Sequence, residues 1–558
     1  MPGLAAIAVD PANGAAVVHD DGSETFIDVV GAGRRLAALD ADATRWVWWD
    51  KRTAAALIRL GVTPSRCWDL SAVHRLGVGG WKSGPGEVWA RAQGLDPAGI
   101  PTLAPVDLFT QAIDTGDPDE PLDLDGHLRP EWIDGGWCAD SARLMRWARL
   151  ALEVQRFQDT ALDGHHRTTA LAESAAEIVC AELERDGLPF DREVGEQIVA
   201  GFVGPRPTDP ADEIRLLAAL DEPVLSLLPA GATADLRSPD QVKSLLRRVG
   251  IEVPDTRAWR LEAMRDAHPI VDALLTWRRA ERTRTTFGYP WIDEHVGADN
   301  RLRGRWSGSD GAAGRMTATA GLHNMPSEMR PAVAAEGGFV FVRADLGQIE
   351  PRVLAAVSGD ARLAAATHDD DMYAPVAQRL RVEREIAKVA VLGAMYGQTT
   401  GKGAEALRGL EREYPVAMGY LRDADEAAQG GHDLTTYGGR RVRMSGGVTT
   451  DMTDGDVRSR AAARGRYGRN AVVQGAAAEF FKTWAVLVRA RSASLGARIV
   501  LCLHDELVVH TPLDAGPATA AILEACLQEA AVRWAPSADV GVRFVADTSV
   551  IARWSEAK

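Results

Sequence analysis

The chain has 558 residues, 46% hydrophobic and 25% charged, which is too long for one ordinary core and predicts a globular protein of two to four domains. Its five cysteines (Cys67, Cys138, Cys180, Cys502, Cys526) are scattered, odd in number and without CxxC spacing, which argues against disulfides and zinc. No apolar run reaches the ~18 residues of a membrane span and the N-terminus lacks a basic signal-like start, so a cytoplasmic protein without membrane association is expected.

Residues 1–150 mix short apolar runs (LAAIAV, GAAVV, TRWVWW) with helices predicted at 51–61 and 139–156, an α/β pattern. The segment contains no glycine-rich phosphate loop and no evident catalytic cluster, and the Gly/Pro/Asp-rich stretch 112–136 reads as a loop or linker. From 165 to 295 the pattern turns helical. Ala170–Leu183 is apolar on one face, Ser238–Pro239 opens a helix with serine as cap and proline at the first position, and Asp272–Arg284 ends the region with a basic outer side. Residues 203–233, rich in proline, glycine and acid, read mainly as loop.

Beyond 300, short strands and long helices alternate. Phe339–Leu354 (FVFVRADLGQIEPRVL) begins as a buried strand, ends it on Asp345, and carries Pro351 where a first helical turn is expected. Glu383–Tyr396 is a proline-free helix that sets Arg384, Lys388, Leu392 and Tyr396 four residues apart along one stripe. Only seven of the 63 basic residues are lysines, so a lysine kept at 388 suggests a role for a compact ammonium. Arg498–Thr511 reads as a hairpin with His504, Asp505 and Glu506 at its tip. Read singly, these features are a turn aspartate, a helix with surface bases and a polar hairpin tip. Carboxylates at the ends of two buried strands also suit a pair of hard divalent ions.

The net charge of −15 argues against a nucleic-acid partner, but the arginines segregate. They cluster in 278–284 (including Arg278 and Arg282), in 301–305 and in 440–469, all in one half of the chain, which favours a polyanion-binding groove.

Taken in order, D-L-G-Q-I-E-P-R, R-x-x-x-K-x-x-x-L-x-x-x-Y-G and H-D-E resemble the motifs of the family A DNA polymerases, of the polymerase I type, over roughly 165–558. The resemblance implies an α+β polymerase right hand preceded by an α/β, RNase H-like domain of the 3′–5′ exonuclease kind. The implied division is 1–160 exonuclease-like, 161–300 thumb, 301–370 palm, 371–460 fingers and 461–558 palm with the hairpin. It implies a DNA-templated DNA polymerase acting on primer–template DNA and dNTPs, as a monomer, with two Mg²⁺ ions and Mn²⁺ as a substitute. Asp345 and Asp505, helped by the Leu346 carbonyl, would be the metal ligands, with Glu506 an auxiliary carboxylate. Arg384 and Lys388 would hold the triphosphate, Lys388 also as a proton donor. Gln348, Ile349, Glu350, Leu392, Tyr396 and Tyr373 would form the rest of the nucleotide pocket, with Glu350 crowding a ribose 2′-hydroxyl. Arg315, Asn324, Arg352, Arg466, Asn470, Gln474 and His504, with Arg278 and Arg282 of the thumb, would face DNA.

Several positions depart from the family pattern. Leu392 stands where Phe or Tyr is usual, Tyr373 where a histidine is common, and Pro351 where an aliphatic residue follows the gate glutamate. In the N-terminal domain the exonuclease acids are largely missing. Asp10-Pro11-Ala12 lacks the glutamate of D-x-E, Thr53 or Ala54 falls where an aspartate is expected, and Trp137 and Ser141 replace the tyrosine and aspartate of Y-x-x-x-D. Asp50 and Asp140 are the candidate surviving acids. The expectation is therefore a polymerase without proofreading, and no room is left ahead of it for a 5′-nuclease domain. The competing expectations are a catalytically idle DNA-binding scaffold descended from a polymerase, a single-subunit RNA polymerase, and, last, a magnesium-dependent nuclease.

Overall fold

The computed structural model describes residues 3–42, 44–103, 117–228, 233–397, 403–444, 454–535 and 541–557. Parts of the loops expected at 112–136 and 203–233 lie outside the described residues. The chain forms two compact units: Met1–Asp186 with Arg305–Thr317 and Gly338–Ile551, and Gly187–Gly304 with Ala318–Gly337 and Ala552–Lys558.

In the first unit, strand Leu4–Asp10 pairs antiparallel with Gly14–His19, which pairs with Glu24–Ile27. On its other side it runs parallel to Arg45–Trp48, and that strand parallel to Cys67–Asp69. The central strand is apolar throughout because both faces are covered. Ala5, Ile7 and Val9 point into one core with Leu36 and Leu57, while Ala6 and Ala8 point into another with Trp68, Leu144 and Trp147. Helices Lys51–Arg59 and Ser141–Thr160 begin on Asp50 and Asp140, whose side chains accept backbone N–H groups of the first turn.

The second sheet of this unit orders Arg498–Cys502, Glu506–Pro512, Phe339–Leu346 and Ala546–Ile551, all antiparallel. Phe341, Val342 and Ala344 have no exposed surface, so the strand carrying Asp345 is fixed in register by its core; a slip of one residue would exchange its two faces. The 39-residue helix Asp454–Ser492 packs beside it. Its apolar window is long enough to cross a membrane by composition, yet 83% of that window is buried inside the protein.

A buried charge network ties these parts together. Glu173, on helix Gly164–Asp186, receives Arg440 at 2.6 Å and Lys482 at 2.5 Å, all three almost without solvent exposure. Burial alone would raise the Glu173 carboxyl, but the two cations outweigh it and hold it below the usual range. Glu479, in the same network, accepts Thr436 and Gly438 of the hairpin Leu434–Val442 and is pushed up to about 7 by burial.

The second unit is mostly helical, with Arg192–Val203, Pro210–Leu225, Pro239–Arg248, Pro269–Phe287 and Tyr289–His295. Val224, Leu245, Leu246, Leu261, Ile270 and Leu274 form its core. Two sequence expectations change here. Residues 210–225 are helix rather than loop, because Asp209 caps the chain and Pro210 occupies the first turn, which outweighs the loop-like composition. Helix Gly164–Asp186 belongs to the first unit, so the boundary falls at Gly187 rather than at 161.

Candidate active site

Asp345 is the penultimate residue of its strand and lies opposite Glu506 on one neighbour and Asp547 on the other. The Leu346 N–H donates to the Asp505 carbonyl at 2.8 Å, which locks the hairpin tip to the end of the strand. Period 2 puts Arg343 on the same face as Asp345. Its guanidinium, 8% exposed, reaches Asp345 at 2.7 Å, Glu506 at 3.2 Å and Asp547 at 3.2 Å. Even with that cation present, Asp345 is pushed up to about 6, first by burial and then by Asp505, with Glu506 and Asp547 adding to it. Four carboxylates, Asp345, Asp505, Glu506 and Asp547, thus gather near one guanidinium, a surplus of acid over base.

That surplus is the condition for binding a divalent cation. Among the described residues no three His, Cys, Asp or Glu side chains are gathered as a ready cage. A set of one or two carboxylates is nonetheless the usual protein share of a magnesium site, whose remaining ligands are waters and substrate phosphates. Asp345 and Asp505 are the residues that would supply that share here.

The pocket beside the acids is built by the next helix. Gln348 adopts φ 52°, a left-handed conformation costly for a non-glycine residue, and caps helix Ile349–Ser358. Its side chain is held at both ends: Nε2 donates to Asp371 at 3.1 Å, and Oε1 accepts the Met372 N–H at 3.0 Å. Two residues on, Glu350 accepts Arg315 at 2.9 Å on one oxygen and the Tyr396 hydroxyl at 2.8 Å on the other. Burial and then Glu350 push the Tyr396 hydroxyl up to about 12, and Gln474 also bonds to it. Arg315 and Tyr396, from distant parts of the sequence, therefore meet at the Glu350 carboxylate, and Gln474 joins them through the Tyr396 hydroxyl. His504 sits below its ordinary value, through burial and then through Arg315.

Helix Arg384–Tyr396 carries the expected stripe. Arg384 is bound by Asp371 at 2.5 Å and by Glu385, and its guanidinium lies 5.8 Å from the ring of buried Tyr373. Lys388 and Leu392 are half-buried on the following turns, and Ile349 is buried. Arg466 is exposed and its stem packs over Gly397, where an added Cβ would fall 2.6 Å from the Arg466 Cγ. Asn470 is half-buried, and its Oδ1 finds no donor among the described residues.

Arg352 is corrected. It has no exposed surface and donates to the carbonyls of Gly347, Thr367, Asp369, Asp370 and Arg543, so it binds backbone and cannot reach DNA. In the other unit Arg282 and Asn324 are exposed, while Arg278 is half-buried and donates to the Thr256 carbonyl. Sequence reading missed Arg343, Asp371 and Asp547. Arg343 was accessible through strand period alone, being two residues before Asp345; the other two carry no local signal.

In the N-terminal sheet the candidate acids are engaged elsewhere. Asp10 closes a turn onto the Ala12 N–H, and Asp50 and Asp140 cap helices. Ala54 is buried, and Trp137 stacks on Trp147 with ring centres 6.0 Å apart.

The carboxylates at the end of the second sheet and the cationic helix Arg384–Tyr396 can be set against known proteins. The profile of DNA polymerase family A matches residues 217–556, more than half of the chain. The thermostable DNA polymerase I of Thermus thermophilus is 30% identical over 348 residues, covering 55% of this chain and 41% of that protein. That of Thermus aquaticus is 28% identical over 409 residues, 66% of this chain and 47% of the relative. DNA polymerase I of Chloroflexus aurantiacus is 32% identical over 290 residues, 46% and 29% respectively. The chain thus spans half or less of the length of these relatives. The POL domain of Pol1 from M. smegmatis, solved in complex with DNA primer-template and dNTP, superposes with a TM-score of 0.68 at 22% identity, covering 99% of this chain and 95% of that one. The chain belongs to DNA polymerase family A.

Proposed function

We propose that the protein is a DNA-templated DNA polymerase that adds deoxynucleotides to a primer 3′-hydroxyl and does not proofread. The observation that carries this reading is the convergence of Arg315, Glu350, Tyr396 and Gln474 beside the Asp345–Asp505 pair. Asp345 and Asp505, with the Leu346 carbonyl, would hold Mg²⁺, which when bound activates the attacking hydroxyl and stabilises the leaving oxygen. Arg384 and Lys388, one turn apart, neutralise the triphosphate, and Lys388 supplies a proton to the departing pyrophosphate. Arg384 must leave Asp371 to do so. Glu350, held from both sides, is a rigid wall against a 2′-hydroxyl, because neither oxygen can swing away without breaking a charged or phenolic hydrogen bond. Arg315 faces the minor-groove acceptors that all correct pairs share.

Absent proofreading is read from the N-terminal acids, which number too few and serve as caps and turns. The test is extension of a labelled primer–template with Mg²⁺ and the four dNTPs, beside a mismatched primer without dNTPs. Template-directed growth and an intact mismatched primer support the reading. Tight DNA binding without growth would favour the scaffold instead, and a shortened primer would return nuclease activity to the N-terminal domain.

A further inference from the structure

Resting on the polymerase reading, one feature of the N-terminal domain acquires a use. Of the tryptophans in residues 1–150, all are buried or half-buried except Trp81, which is 65% exposed. It follows Gly79 and Gly80, two successive residues with φ of +73° and +81°, which turn the chain out of helix Leu70–Val78. One face of the indole lies on Gly311: a Cβ built there would fall 2.5 Å from the ring. Gly311 also has φ +69°, so that position both needs and exploits glycine. Asp310 holds this turn by accepting the Ala312 and Gly314 N–H groups, and the turn runs directly into Arg315.

Two exposed cations lie along the chain beside Trp81. Arg443, exposed, donates to the Val78 carbonyl at 2.9 Å and lies against Gly80, and Lys82 follows Trp81 on the surface. Arg441 is exposed beside them but paired with Asp433. The hairpin carrying Arg441 is bonded through Thr436 and Gly438 to Glu479, on the same long helix as Arg466, Asn470 and Gln474.

We propose that Trp81, Arg443 and Lys82 form a binding platform for the unpaired template strand, contributed by the domain that has lost its nuclease acids. The open face of the indole stacks on a base, and the two cations take the adjoining phosphates. Stacking selects an unpaired strand, since the faces of bases within a duplex are covered by their neighbours. In a primer–template the long unpaired strand is the template overhang.

Fluorescence anisotropy with end-labelled primer–templates of identical duplex, carrying either a one-nucleotide overhang or one of about ten nucleotides, tests this on the full chain. Wild type, Trp81→Ala, Trp81→Phe and Arg443→Ala are compared. Trp81→Ala is expected to weaken binding about tenfold on the long overhang only, and Trp81→Phe to retain most of the affinity. Arg443→Ala should also reduce the salt dependence on the long overhang. Equal loss on both DNAs, or no loss on either, overturns the platform; an unchanged thermal melt separates such losses from misfolding. If wild type binds neither DNA, the polymerase reading itself fails, which is a distinct result from wild-type binding that Trp81→Ala leaves intact.

Discussion

At the residue scale the most consequential side chain is Arg343. A guanidinium held against Asp345, Glu506 and Asp547 supplies the charge that a divalent ion would otherwise bring, so it competes with that ion for the same carboxylates. Arg343→Ser should therefore bind Mn²⁺ more tightly, by about tenfold, the attraction of an added charge in a partly screened site. Electron paramagnetic resonance of Mn²⁺ titrated into DNA-free protein reads this directly. Weaker binding would mean that Arg343 chiefly positions the carboxylates. Glu350 makes a second case. With Arg315 and Tyr396 anchoring it, Glu350→Ala should remove the wall and raise ribonucleotide incorporation relative to deoxynucleotide by at least about tenfold. An unchanged ratio in single-nucleotide incorporation would assign sugar selection elsewhere.

At the scale of elements, the buried network of Glu173, Arg440, Lys482 and Glu479 binds three segments into one unit. Glu173→Gln leaves two buried cations short of their counter-charge and should destabilise the protein by ~3–5 kcal/mol in denaturant unfolding. Glu479 gives the network a pH dependence. Its carboxyl titrates near 7 in the folded protein against an ordinary 4.5, so the folded state binds the extra proton between those values. Stability contributed by this group is then full below about 4.5 and declines as pH rises toward 7. Glu479→Gln should flatten that decline in melts taken across this window. A decline identical to wild type would assign it to other groups.

The same elements show what the sequence made legible. The strand carrying Asp345, the stripe from Arg384 to Tyr396 and the hairpin at 498–511 are each specified by local pattern, and each forms. The first strand runs one residue further, to Leu346, and Glu506 begins the second hairpin strand rather than lying at the tip. The Ser238–Pro239 helix start also follows from local chemistry, with serine accepting the Gln241 N–H. The helix 210–225 was hidden because proline and acid counts suggested loop, while the decisive signal was a single cap at Asp209. Arg352 is assigned to DNA only through the family resemblance. Its five carbonyl partners come from segments up to 191 residues away, which no local pattern reveals. Asp371 and Asp547 escaped for the same reason.

For the whole molecule, the proposed function makes the N-terminal α/β domain a structural part of a polymerase, with Asp50 and Asp140 serving as helix caps. Half-buried Lys51 of that domain bonds Glu184 on helix Gly164–Asp186 at 2.7 Å and also the Trp306 carbonyl, so the domain serves as structure for the unit that carries Asp345. A mismatched primer terminus incubated with Mg²⁺ should stay full length over many turnovers' worth of time. Its shortening by wild type, and not by Asp10→Ala, would revise the N-terminal assignment.

The central claim is that Asp345 and Asp505 carry the chemistry, and single-turnover incorporation of one templated dNTP tests it most directly. Wild type, Asp345→Asn and Asp505→Asn are compared, with DNA affinity measured alongside. Either variant is expected to lose about a thousandfold in rate, with primer–template binding close to wild type. A near-wild-type rate in Asp505→Asn would contradict it.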